Sequence, residues 1–119
     1  MSDGASSGPG AERRQHERFE LLAQVELRRG GDLEAFTVLN ISAGGLLLRN
    51  DRNVEFTIGE AIRVHLDVPE LSIAFALDAK VIRVVGPTSK PAALAAMWTS
   101  SDVEASASLA QLLWSLKQA

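Results

Sequence analysis

The 119-residue chain has no cysteine and only two histidines. Without cysteine there can be no disulfide framework, thiolate nucleophile or thiolate zinc site. His16 and His65 fall in different segments, so no metal centre is expected. No apolar run approaches the length needed to span a bilayer, and the first residues lack the apolar stretch of a secretory signal. A cytoplasmic protein without membrane insertion is therefore expected. A broad excess of basic residues is also missing. Twelve Lys and Arg against fifteen Asp and Glu leave a net charge of −3, which argues against the wide basic face of a nucleic-acid binder. No Ser–His–Asp spacing, phosphate-cradling glycine loop or paired acid stands out, and Asp51, Asp67, Glu70 and Asp78 are scattered. The expectation is a protein that is not an enzyme.

What is present suits one domain with one core: 46% of the residues are hydrophobic in a chain of single-domain length. The opening "MSDGASSGPGAE", residues 1–12, is nearly all small, polar or acidic. Such a segment buries too little apolar surface to offset its ordering entropy and is expected to be a disordered tail. Residues 13–119 form one unit.

Periodicity then predicts short strands. Ala23, Val25 and Leu27 alternate with Gln24, Glu26 and Arg28, the mark of a half-buried strand. Gly30–Gly31 is expected to turn the chain through left-handed conformations into "EAFTVLNIS", and Gly44–Gly45 leads to "LLLR". The next strand has Ile62, Val64, Leu66 and Val68 inward, with Arg63, His65 and Asp67 expected to face solvent. A long strand follows, with Ile73, Phe75, Leu77, Ala79 and Val81 inward and a bulge along its length. "AALAAMWTS" is assigned as a final strand, because an open meander leaves an edge that needs closing. After it the period becomes helical. Ser101 and Glu104 fit a capping box, while Val103, Ala107, Ala110 and Trp114 share a stripe with Leu109, Leu112, Leu113 and Leu116 beside it, and Trp114 and these leucines are expected to belong to the core. The fold class is all-β with one helix: a six-stranded antiparallel β-barrel with a C-terminal α-helix packed on it.

Two polar motifs interrupt this pattern. "ERRQHERFE" collects Arg13, Arg14 and Arg18 before the first strand. Guanidinium forks match phosphate oxygens and the O6/N7 edge of guanine. A local basic cluster on an acidic chain suits a compact anion. Asn40 and Ser42 have the same parity in an extended chain, so their side chains leave one face, and Gly45 permits a tight bend. Alone, each motif is better explained without a ligand, the first as a solvated basic lead-in to a strand and the second as a turn whose polar side chains bind local backbone.

Together the motifs are R-x-x-x-R at Arg14–Arg18 and N-x-S-x-x-G at Asn40–Gly45, followed by alternating strands and a terminal helix. This order resembles the PilZ domain family of bacterial cyclic di-GMP receptors over essentially residues 13–117. The resemblance implies that Arg14 and Arg18 grip phosphates and guanine edges. It also implies that Asn40 and Ser42 touch guanine from the barrel side and that Gly45 shapes the turn. Arg13 adds a third fork. The family tends to carry a small residue and an aromatic in its last strand, and here Ala95-Ala96-Met97-Trp98 stands there, with Trp98 expected to pack against the helix. The implied function is a non-enzymatic cyclic di-GMP receptor whose arginine loop becomes ordered on binding. It needs no cofactor and signals to a protein effector of motility, polysaccharide or secretion systems. The alternative is a PilZ-type interaction module acting without nucleotide.

Overall fold

A computed structural model describes residues 17–21, 23–52, 54–86 and 92–118. Strands β1 (Gln24–Arg29), β2 (Asp32–Ile41), β3 (Gly45–Arg49), β4 (Ala61–Val68), β5 (Ile73–Val85) and β6 (Ala93–Trp98) are followed by helix α1 (Val103–Gln118). The strands close into an antiparallel barrel in the order β1-β2-β3-β6-β5-β4, with β4 pairing back onto β1. The expected fold class is the observed one, and "AALAAMWTS" does supply the strand that removes the open edges.

Alternation decides what fills the barrel. Val25 and Leu27, Ile62, Val64 and Leu66, and Leu77, Ala79 and Val81 are buried, while their neighbours point outward. Each large side chain removed from water in this way contributes about 1.5–3 kcal/mol. The β1–β2 connection is a two-residue turn joining Arg29 to its partner Asp32. Gly30 alone takes the left-handed conformation there, at φ +57°, so Gly31 is not needed for that purpose. Gly59 takes φ +91° in the turn before β4. Asn50 is a buried residue that periodicity passes over. Its carboxamide donates to and accepts from the backbone of Val54 at 3.0 Å each way, fixing the loop after β3.

One outward strand residue and the helix start behave differently from expectation. His65 is half-buried, and its Nε2 is enclosed without a hydrogen-bond partner among the described residues. At the helix start, Asp102 rather than Ser101 is the cap. Its Oδ1 accepts from the amides of Glu104 (3.0 Å) and Ala105 (3.2 Å), which leaves Ser101 outside the capping geometry. The helix packs on β5 through Ala105, Leu109 and Leu112. Leu109 and Leu112 are buried as expected and Leu113 and Leu116 pack against the core, whereas Trp114, 65% exposed, faces solvent with Val103 instead of joining it. No helix among the described residues is long and apolar enough to cross a membrane.

Candidate functional site

The second polar motif lies where β2 turns into β3. The Ser42 hydroxyl accepts from the amides of Gly44 (3.1 Å) and Gly45 (3.2 Å) and donates to the Gly45 carbonyl (3.3 Å). Its one donor and two acceptor positions are thus all used by the turn. The local-backbone reading of this serine holds, and it makes Ser42 the residue that shapes the turn. Strand β6 ties the turn down from the side. The Trp98 indole N–H donates to the Ser42 carbonyl at 3.0 Å, and the Trp98 amide donates to the Gly44 carbonyl at 3.0 Å. Trp98 therefore anchors the motif, a task its position next to the terminal helix concealed.

Gly45 is required for a different reason from the expected bend. Its φ is not left-handed; instead, a Cβ there would lie 2.1 Å from the Ala96 carbonyl oxygen. The glycine permits close approach of β3 to β6.

Asn40 owes its orientation to an irregularity. Between Val38 and Asn40 the β2–β3 register slips, so that Leu39 is the extra residue and Asn40 pairs with Leu47. Val38 and Ile41 remain buried on either side of the slip. With unbroken register Asn40 would pair with Leu46 and point into the barrel. The bulge turns it out onto the surface, where it is half-buried.

The first motif meets the second through backbone. Phe19 and Ile41 exchange two hydrogen bonds of 2.9 Å in an antiparallel bridge, and Phe19 also packs against the core. The antiparallel sense puts Arg18 at the level of Ser42 and Glu20 at that of Asn40. Since Phe19 and Ile41 turn inward, Arg18 leaves on the side that Asn40 uses, and it is exposed. Arg18, Asn40, Ser42 and Gly45 are thereby brought together at one edge of the barrel. Arg13 and Arg14, together with the 1–12 tail, lie outside the described residues.

Elsewhere, an open cleft beside β1, β4 and β5 is lined by Gln24, Glu26, His65 and Asp67, with the inward-facing Phe75 at its edge. Its two carboxylates make it a poor host for an anion, and it is away from the paired motifs. No grouping of acidic and histidine side chains suited to a metal ion occurs among the described residues.

The PilZ domain family model matches residues 12–113, which covers both motifs, the whole barrel and most of the helix. Among solved structures, the Bacillus subtilis inhibitor of motility MotI/DgrA superposes with a TM-score of 0.73 at 22% identity, over 89% of this chain and 52% of that one. The PilZ domain of Escherichia coli YcgR, solved with c-di-GMP, gives 0.71 at 16% identity, over 89% of this chain and 92% of that one. The PilZ domain of CeSA from a cellulose-synthesizing bacterium gives 0.67 at 16% identity, over 85% and 98% of the two chains. The chain thus spans about half of the inhibitor of motility and nearly all of the two isolated domains. At these identities the likeness establishes the fold. No curated protein matches the chain in sequence.

Proposed function

The chain belongs to the PilZ domain family, and from that premise we propose that it is a cytoplasmic, non-enzymatic receptor for cyclic di-GMP that relays nucleotide binding to a protein effector. The observation that carries this reading is the Phe19–Ile41 bridge, which sets Arg18 beside the Asn40–Gly45 turn. Two motifs about twenty residues apart in sequence become two sides of one site: guanidinium on one, carboxamide and a rigid polar turn on the other. Cyclic di-GMP carries two phosphodiester charges and two guanines, and each component has a complementary group here. Arginine forks bind phosphate and the O6/N7 edge, and a carboxamide supplies both a donor and an acceptor. The exposed Arg18 favours this over an interaction module that ignores nucleotide.

In this reading Arg13, Arg14 and Arg18 close on the nucleotide and take a fixed arrangement around it, and the altered surface is what an effector of motility, polysaccharide or secretion systems recognises. Structural neighbours named for motility inhibition and for cellulose synthesis lend support to effectors of that kind. Calorimetric titration with cyclic di-GMP tests the central point. Arg14→Ala and Arg18→Ala are each expected to cost about 1.5–3 kcal/mol of affinity, because each removes charge-assisted hydrogen bonds. Undiminished binding in Arg18→Ala would remove the assignment. Hydrogen exchange across residues 13–18, with and without nucleotide, tests the closing of the arginine segment through the protection it should gain.

A further inference from the structure

The barrel's outer face carries a row of side chains that starts at the motif and ends at a second, independent irregularity. Asn40 of β2 pairs with Leu47 of β3, Leu47 with Ala95 of β6, and Ala95 with Arg83 of β5. The inward neighbours Leu46, Leu48, Leu94 and Ala96 are all buried, which fixes the outward sense of the row. Both ends depend on bulges. In β5 the register slips between Val81 and Arg83, so Ile82 is the extra residue and Arg83 pairs with Ala95. In unbroken register Ile82 would occupy that place and Arg83 would pair with Leu94, facing the core. The two slips therefore do the same thing at opposite ends: each turns a polar side chain out onto one row. Bulges that re-aim side chains in this way recur beside binding sites.

Between these ends the floor is apolar and shallow. Leu47 and Ala95 are half-buried and uncharged, and Met97 in the adjacent row is 41% exposed. Three interstrand steps separate Asn40 from Arg83, about 14 Å. That is wide enough for a nucleotide lying across the row but too far for one base to reach both ends. Arg83 is exposed, and among the described residues it has no carboxylate partner, whereas Arg49 and Arg63 each have one and Arg29 has two. A guanidinium at the rim of an apolar floor can stack on a purine and present its fork to a guanine edge.

We infer that Arg83 is a further nucleotide-binding residue, holding the guanine remote from Asn40 over the Leu47–Ala95 floor. The inference rests on the cyclic di-GMP reading and extends its site across β3 and β6 to β5. It is tested by calorimetric titration of the full chain with cyclic di-GMP. The wild type is compared with Arg83→Ala, Arg83→Lys and Arg28→Ala, the last removing an exposed charge from β1 on the opposite side of the barrel. Arg83→Ala is expected to weaken binding about tenfold or more, as loss of base stacking or of a charged hydrogen bond does. Arg28→Ala should stay within about twofold, the range of a screened remote charge. Arg83→Lys keeps the charge without the planar fork and should recover only part of the affinity. An Arg83→Ala loss no greater than that of Arg28→Ala overturns the inference, and so does full recovery by lysine. A wild type that fails to bind cyclic di-GMP refutes the receptor reading itself, a result distinct from either. Melting temperatures of the variants confirm that each is folded.

Discussion

Replacing Gly45 with alanine tests whether this glycine serves the ligand or the barrel. The added Cβ would lie 2.1 Å from the Ala96 carbonyl oxygen and 3.0 Å from both the Ala96 carbonyl carbon and the Met97 Cα, against an ordinary contact limit of 3.4 Å. All three obstacles are backbone atoms of β6, so no rotamer change can relieve the clash. Strands β3 and β6 must separate by roughly 1 Å at the point where Gly45 pairs with Met97. The separation strains the neighbouring hydrogen bonds from Trp98 to the Gly44 and Ser42 carbonyls. Overpacking typically costs about 1–3 kcal/mol, and each weakened hydrogen bond adds about 0.5–1.5 kcal/mol. A total of about 2–6 kcal/mol should lower the melting temperature by at least about 8 °C for a domain of this size. Thermal unfolding followed by far-UV circular dichroism, without any nucleotide, reads the effect. Gly31→Ala is the control. A Cβ at Gly31 meets nothing within 4 Å and its φ is not left-handed, so it should be neutral or slightly stabilising. If Gly45→Ala melts within about 2 °C of wild type, less than 1 kcal/mol separates them and the close-approach argument fails.

Two further perturbations probe the frame around the site. Asp102→Ala should destabilise the chain by about 1 kcal/mol in urea unfolding by removing the acceptor for two helix-start amides, whereas Ser101→Ala should change little; a larger loss from Ser101 would restore the capping-box assignment. Glu60 accepts from Arg29 at 2.7 Å and from the Thr57 amide, and the Arg29 hydrogen bond foremost holds its carboxyl below the usual carboxylate value despite some opposing desolvation. Because the folded-state value is depressed, the unfolded chain takes up this proton first as pH falls. The contribution is complete above the ordinary carboxylate value and is lost on acidification through the folded one. Glu60→Gln should therefore flatten the acid limb of the stability–pH profile while leaving its neutral-to-basic part parallel to wild type, and an unchanged acid limb would refute the linkage.

The barrel was legible because its strands alternate cleanly. Ile62, Val64 and Leu66 are buried wherever a period of two would bury them, and a single slip would expose the whole set. The two bulges are less legible. A bulge in the long β5 can be anticipated from its length, but the position of the slip depends on the partner strand. That position decides whether Arg83 lies outside or inside, which is why the far end of the surface row leaves no trace in a motif. The motifs themselves mark Arg18, Asn40, Ser42 and Gly45, and the chain places these together. Their physical roles nevertheless shift. Ser42 is engaged by its own turn, Gly45 by the neighbouring strand, and Trp98 holds both in place.

The helix shows the reverse problem, in which a correct period finds the buried leucines Leu109 and Leu112 but places Trp114 with them, although it faces solvent. Its sequence, VEASASLAQLLWSLKQ, has only Glu104 and Lys117 as charges, with alanine, leucine and tryptophan distributed around the circumference. Two stripes are then nearly equally apolar, and periodicity cannot choose between them. The choice is made by what receives the helix. The capped start after Asp102 follows a link in which the amides of Thr99 and Ser100 both donate to the Asp78 carbonyl of β5, and this fixes the direction in which the chain leaves the barrel. From that departure Ala105, Leu109 and Leu112 reach the barrel, and Val103 and Trp114 cannot. The same β6-to-helix link begins at Trp98, whose indole holds the Ser42 carbonyl. The helix orientation and the motif turn are therefore set from one short segment, residues 98–102.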